Sequence, residues 1–264
     1  RMSQFQKGAA ALSALQAGGG EGGNLNKIDF AKFGVGTTYK VRVLGAEDLM
    51  QYYGYGIYKK VNTFVARNPS TRNEKGYVVS DHTPWDLAEK YYRDLQFKAK
   101  EAGDEDEAKA HGEEAWKYCG KERYSMGFID LESGKEIIVD LSRNQAQDVY
   151  ATIKKYEKKL GKLAFELTKT NTTGKSKDTK VSLTPLIDFE EDLTEQERAN
   201  FAKFDGKEFN AKLFDGLLFE ADEKTQIENL VAAGFDISLI GLSLGAGSDN
   251  EKDNEEVDEE TLPF

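Results

Sequence analysis

The sequence predicts a mainly β fold with helical insertions, an α+β core followed by an acidic helical extension. Three observations predict it. Runs of period-two alternation recur from Thr37 to Ile187, separated by turn residues. Capped, amphipathic helical stretches interrupt them twice. Charge is split along the chain: of the net −11, residues 1–31 carry +1, residues 32–180 carry +4 and residues 181–264 carry −16.

Residues 3–17 (SQFQKGAAALSALQA) read as a short helix, and the glycine-rich Gly18–Gly23 has little tendency to order, so residues 1–31 form a flexible N-terminal arm. From Thr37, Tyr39, Val41 and Val43 alternate with Thr38, Lys40, Arg42 and Leu44, the pattern of a half-buried strand. Further β-rich runs span 56–67 and 76–80. Thr83-Pro84-Trp85-Asp86 supplies an N-cap, a proline suited to the first helical position and an early acid, so a helix begins there and runs to about 99. The charged stretch after it is an exposed helical excursion rather than core, and Trp116 brings the chain back. The clearest hairpin joins 123–131 to 135–141 at Glu132-Ser133-Gly134, where glycine takes a positive φ. Ser142 starts a helix to Leu160 with Ala146, Val149, Ile153, Tyr156 and Leu160 along one face, and Gly161 stops it. Strands 162–169 and 179–187 flank the loop TNTTGKSKD.

Strand, strand, strand hairpin, helix and strand pair come close to the order of an OB-fold barrel, in which a helix lies between the third and fourth barrel strands. The expected organisation is therefore an OB-like core over 32–187 with a helical insert at about 83–118. An acidic helical extension follows over 188–242, opened by the capping box Thr194-Glu195-Gln196-Glu197. Residues 243–264 form a disordered acidic tail.

Composition excludes several function classes. One cysteine, Cys119, forms no internal disulfide, and with His82 and His111 it makes no convincing zinc cage, so no metal is expected. No stretch approaches the ~20 apolar residues of a membrane span, and no secretory signal opens the chain. A cytoplasmic location is expected. Phosphate-cradling, paired-histidine and Gly-x-Ser-x-Gly motifs are missing, so neither catalysis nor a cofactor is expected.

Single-stranded nucleic acid offers a phosphate chain and unstacked bases, and a binder without sequence preference needs cations and flat rings along a groove. All twelve tyrosines and both tryptophans fall between Tyr39 and Tyr156, within the segment of positive balance. The densest group is Tyr52, Tyr53, Tyr55, Tyr58, Lys59 and Lys60, interleaved with Gly54 and Gly56; covering a barrel edge is the competing role for any one ring. Beside Tyr39, Lys40 and Arg42 occupy the polar face of the first strand. Arg67, Arg72 and Lys75 surround a loop able to close over DNA, Arg123 and Tyr124 lead into the hairpin, and Lys175, Lys177 and Lys180 form a flexible clamp. Trp85, Tyr91 and Tyr92 favour core packing, and Lys154, Lys155, Lys158, Lys159 and Lys162 favour a solvated helix face.

The ending Glu259-Glu260-Thr261-Leu262-Pro263-Phe264 resembles the acidic, phenylalanine-terminated tips of bacterial and phage single-stranded DNA-binding proteins, which dock replication, recombination and repair proteins. The stretches Tyr39–Leu44, Arg123–Ser142 and Gln145–Thr168 resemble the helix-destabilising single-stranded DNA-binding proteins of tailed phages, over roughly residues 35–187. That resemblance implies an OB fold, coating of exposed template, possible self-association on DNA, and contacts of Glu259, Glu260, Leu262, Pro263 and Phe264 with a polymerase, helicase or primase. Some of those proteins hold zinc in the barrel insert; here only Cys119 and His111 remain, and no metal is expected. The tail, with eight acids and one lysine between Asp249 and Glu260, is expected to compete with DNA for the groove. A non-catalytic replication or recombination adaptor, bound mainly through its acidic C-terminal region, is the alternative, with an RNA-binding OB protein third.

Overall fold

A computed structural model describes residues 29–244; the expected helix over 3–17 and the acidic tail with its Leu-Pro-Phe tip lie outside the described residues. In chain order the elements are β1 (Thr38–Arg42), β2 (Leu49–Ile57), β3 (Val61–Ala66), β4 (Thr71–Arg72), β5 (Val78–Ser80), α1 (Pro84–Glu101) and α2 (Glu105–Tyr118). Then follow β6 (Lys121–Asp130), β7 (Lys135–Ser142), α3 (Arg143–Lys155), β8 (Phe165–Thr170), β9 (Lys180–Pro185), α4 (Phe189–Asp192), α5 (Glu195–Ala202), β10 (Glu220–Ala221) and α6 (Glu223–Ala233). The fold is mixed α+β, with six helices and a large sheet of eight strands among the described residues. The chain divides into two compact units: residues 29–54 with 121–219, called here the sheet unit, and residues 55–120 with 220–244, the insert unit.

In the sheet unit, β6 is the central strand. One edge pairs with β7 from Arg123↔Ser142 to Asp130↔Lys135. The other pairs with β2 (Leu49↔Met126 to Gly54↔Lys121) and then with β1 (Val41↔Asp130), so β1 and β2 together line one edge as a single interrupted strand. β1 also pairs with β8, and β8 with β9, all antiparallel. The order is β7-β6-β1-β8-β9, with α3 in the connection from β7 to β8. Among the described residues no pairing joins β9 to β7, so the sheet is not a closed barrel.

Alternation gives this sheet two faces. Val41, Met126, Phe128, Val139, Leu141, Phe165, Leu167, Val181 and Leu183 point to one side and pack with Ala146, Val149 and Ile153 of α3. Helix α3 starts where expected because the Ser142 hydroxyl accepts from Gln145 N while the Gln145 side chain accepts from Ser142 N. It ends at Lys155 and continues as a 3-10 turn over Glu157–Lys159, short of the expected Leu160. On the other face Ile129 and Leu131 form a second core with Leu193 and Phe201 of the acidic extension. At the β6–β7 turn Gly134 has the expected positive φ, 66°.

The insert unit holds the end of β2 and β3 as a hairpin (Tyr55↔Phe64, Ile57↔Val61), with β10 parallel to β3. Thr83 and Asp86 cap α1 reciprocally behind Pro84, and the expected helical excursion is α2, capped by Asp104. Its core is aromatic. Trp85 is fully buried, with ring centroids of Phe64 at 5.3 Å and Tyr118 at 5.7 Å, and its indole N–H donates to Gln226 O at 3.0 Å.

Two boundaries differ from expectation. The insert begins at Tyr55 rather than about residue 83, because the β2–β3 hairpin builds the aromatic core. Residues 188–242 are not one extension: those to Phe219 belong to the sheet unit, and β10 and α6 to the insert unit.

Candidate nucleic-acid interface

The outer face of the sheet, where the sequence places Lys40 and Arg42 for DNA, is occupied by the acidic extension. Lys40 Nζ donates to Asp192 O at 2.7 Å and pairs with Glu197 at 3.1 Å. Arg42 is 5% exposed, with its guanidinium 4.1 Å from the Phe201 ring centroid; it donates to Phe201 O and to Asp205 Oδ1, the latter at 2.7 Å. Asn200 Nδ2 donates to Leu131 O at 2.8 Å. Gly127 leaves room for Phe209, since a Cβ there would meet that ring at 2.4 Å. Lys40 and Arg42 therefore hold the extension to the sheet. A strand position and a charge specify a face, but not what covers it.

Several predicted ring and cation positions are structural for similar reasons. Tyr52 is buried and its hydroxyl donates to Asp140 at 2.6 Å, while Arg123 pairs with the same carboxylate at 2.7 Å. Burial opposes the Arg123 charge, but the Asp140 hydrogen bond and charge hold its pKa above the ordinary value. Tyr55 donates to the buried Asp86 at 2.9 Å, and Arg72 pairs with Asp86 at 3.6 Å. Burial, then the Asp86 charge, pushes the Tyr55 hydroxyl up to about 12. Tyr39 is half-buried against the inner core and donates to Lys32 O; Tyr124 packs beside the same core and donates to Glu122. Tyr53 is half-buried.

The remaining candidates are exposed. At the β2–β3 tip Tyr58 is 87% exposed, Lys59 stands at φ 63° with Nζ 5.3 Å from the Tyr58 centroid, and Lys60 reaches Ala233 O at 3.4 Å. Arg67 makes a long, solvated pair with Asp222 at 3.9 Å. Lys75 sits on the β4–β5 hairpin. In the sheet unit Lys175 and Lys177 are exposed on the β8–β9 connection and Lys180 at the start of β9. Within that loop the Asn171 side chain accepts from Gly174 N at 2.7 Å and donates to Lys175 O at 2.9 Å.

Sequence reasoning passed over two residues. Tyr77, on the β4–β5 hairpin, is 68% exposed. Its signal was a lone ring beside a turn glycine, Lys75-Gly76-Tyr77, outside the dense cluster. Lys169 lies over Phe33 at 5.5 Å, and burial together with the Arg123 charge lowers its pKa against the pull of Asp140. Its signal was its place near the end of β8 leading into the lysine loop. Taken unit by unit, the exposed residues offer rings able to stack and cations able to meet phosphate. The proposed partner-binding tip, Glu259 to Phe264, lies outside the described residues. Compared with protein-family models, with curated proteins and with solved structures, the chain finds no match.

Proposed function

We propose that this protein binds single-stranded DNA without sequence preference, coats exposed strands during phage DNA replication, recombination and repair, and recruits partner proteins through its acidic tail. The observation that carries the reading is where the exposed cations and rings fall. The sheet-unit order, with a helix between its third and fourth strands when β1 and β2 count as one, supports an OB-like reading of this open sheet. OB folds bind oligonucleotides through the loops that follow their first and fourth strands as well as the face of strands two and three. Here the first of those connections is residues 55–120, carrying Tyr58, Lys59, Lys60, Arg67, Lys75 and Tyr77; the second is 171–179, carrying Lys175 and Lys177, with Lys180 just beyond it.

Covering of the outer face by residues 188–219 favours those loops over Lys40 and Arg42 as the contact surface. It also weakens the adaptor alternative, because much of the acidic extension is committed within the chain. Exposed tyrosines stack on any base at about 1–3 kcal/mol each, which suits a binder indifferent to sequence. At about 0.7 per phosphate contact on a single strand, the four exposed cations of the insert unit contribute about −3 to the slope of log Kobs against log[salt], and the three lysines of the sheet unit about −2.

The test is a fluorescence-anisotropy titration with a labelled dT oligomer, the matching duplex and the matching RNA at several salt concentrations. Preference for the DNA single strand, with a steep negative salt slope, is expected. Equal affinity for duplex, or no binding at low salt, would refute the reading; preference for RNA would move it to an RNA-binding protein.

A further inference from the structure

We infer that Lys169 and Arg123 form a phosphate subsite at the rim of the inner core of the sheet unit. Phe165, Leu167 and Lys169 fall on alternate positions of β8, so Lys169 leaves the strand on the side that buries the two apolar residues. The segment ahead of β1 holds the backbone there: Gly36 N donates to Lys169 O at 2.8 Å and Lys169 N donates to Thr37 O at 3.0 Å. That segment also packs Phe33 against the inner core and places its ring centroid 5.5 Å from the Lys169 ammonium. Lys169 is the half-buried, charged end of an otherwise apolar row.

Around that ammonium an acceptor is missing. Lys40, on the outer face of the neighbouring β1, has both Asp192 O and Glu197. Lys169 Nζ has no hydrogen-bond acceptor and no ion-pair partner among the described residues, only the Phe33 ring. The charges that face it are Arg123 and Asp140; burial first, then the Arg123 charge, lower its pKa against the pull of Asp140. Asp140 is already committed. Its Oδ1 accepts from the Tyr52 hydroxyl at 2.6 Å, and its Oδ2 accepts from Arg123 Nε at 2.8 Å with Arg123 Nη2 at 2.7 Å. Arg123 is therefore structural through two of its nitrogens, while its Nη1 has no acceptor among the described residues.

Two cations share one carboxylate, and the lysine is partly desolvated without a partner, a cost that an arriving anion offsets. A phosphate group suits the spare donors, because its unbridged oxygens accept from an ammonium and a guanidinium together. The phosphate has two possible sources, the backbone of a single strand or a free nucleotide. Lys169 stands just ahead of the connection that carries Lys175 and Lys177, so a strand meeting those lysines continues onto the sheet at this point. The backbone source rests on the single-stranded DNA reading; the phosphate chemistry does not.

The probe is inorganic pyrophosphate, titrated into the 15N-labelled full-length chain at constant ionic strength, beside thymidine monophosphate and a dT oligomer. Saturable shifts at Phe33, Arg123, Asp140 and Lys169 are expected with pyrophosphate. Lys169→Gln, which keeps a polar stem beside Phe33 and removes the charge, should weaken them about three- to fivefold, the yield of one partly solvated ion pair, and Lys169→Arg should restore them. The same Gln variant should make the salt slope of dT-oligomer binding shallower by about 0.7, whereas Lys162→Gln, at an exposed lysine on the turn before β8, should leave pyrophosphate binding unchanged. The same residues shifting with the dT oligomer would assign the site to the strand backbone, and shifts with thymidine monophosphate but not the oligomer to a free nucleotide. A parent chain that takes pyrophosphate at Lys169 yet binds no dT oligomer would sink the single-strand reading and leave the subsite standing. Pyrophosphate shifts that are absent or fail to saturate, that persist undiminished in Lys169→Gln, or that weaken equally in Lys162→Gln would each overturn the subsite.

Discussion

Replacing Phe201 by alanine tests whether the acidic extension is an integral layer of the fold. Phe201 is 5% exposed; it packs in the second core with Ile129, Leu131 and Leu193, meets the Phe189 ring edge-on at 5.0 Å and lies under the Arg42 guanidinium at 4.1 Å. Removing a buried phenylalanine costs about 3–5 kcal/mol through lost transfer energy and the cavity left behind. The cation–π contact adds about 0.5–2 kcal/mol where the cation is desolvated, as Arg42 is. A loss of roughly 4 kcal/mol is a large part of the ~5–15 kcal/mol that stabilises a typical domain. Urea unfolding followed by far-UV circular dichroism should show this drop with an unchanged m value, whereas Ile187→Ala, at a residue 97% exposed, should stay within about 0.5 kcal/mol of the parent. A loss below about 1.5 kcal/mol for Phe201→Ala would show that the extension is not anchored there.

Gly127→Ala should destabilise by about 1–3 kcal/mol in the same assay, because the new Cβ meets the Phe209 ring at 2.4 Å and forces it off its seat. Alkaline pH should weaken the insert unit: the folded Tyr55 hydroxyl titrates at about 12 against an ordinary 10, so its contribution is complete below about pH 10 and is lost as pH rises through about 12. At about 1.36 kcal/mol per pKa unit that is roughly 2–3 kcal/mol. Urea midpoints measured from about pH 9 to about pH 12 should fall, and Tyr55→Phe should flatten that limb. Replacing Lys175, Lys177 and Lys180 together by alanine should make the salt slope of dT-oligomer binding shallower by about 2, read from affinities at several salt concentrations.

Much of the fold was legible. The alternation of valines marked β1, glycine at positive φ marked the β6–β7 turn, and Thr83, Ser142 and Thr194 each start a helix with the cap their neighbours imply. These signals are local, carried within a few residues of chain. The site was less legible because burial is set by partners far away in sequence. Nothing around Arg42 announces Phe201 and Asp205, and the ion pairs of Lys40 and Arg42 become visible only once α5 is laid on the sheet. The tyrosine cluster shows the same limit: Tyr52 and Tyr55 turn inward to Asp140 and Asp86, while Tyr58 at the tip is left in solvent.

The central claim is that exposed rings of the insert unit stack on unpaired bases, and the most direct measurement is dT-oligomer affinity of the Tyr58→Ala/Tyr77→Ala double variant beside the parent at fixed salt. Both side chains are largely solvent-exposed, so their loss should leave the fold unchanged. At about 1–3 kcal/mol per stacked base, affinity should fall by roughly 30-fold or more while the salt slope stays the same. Unchanged affinity would contradict the account.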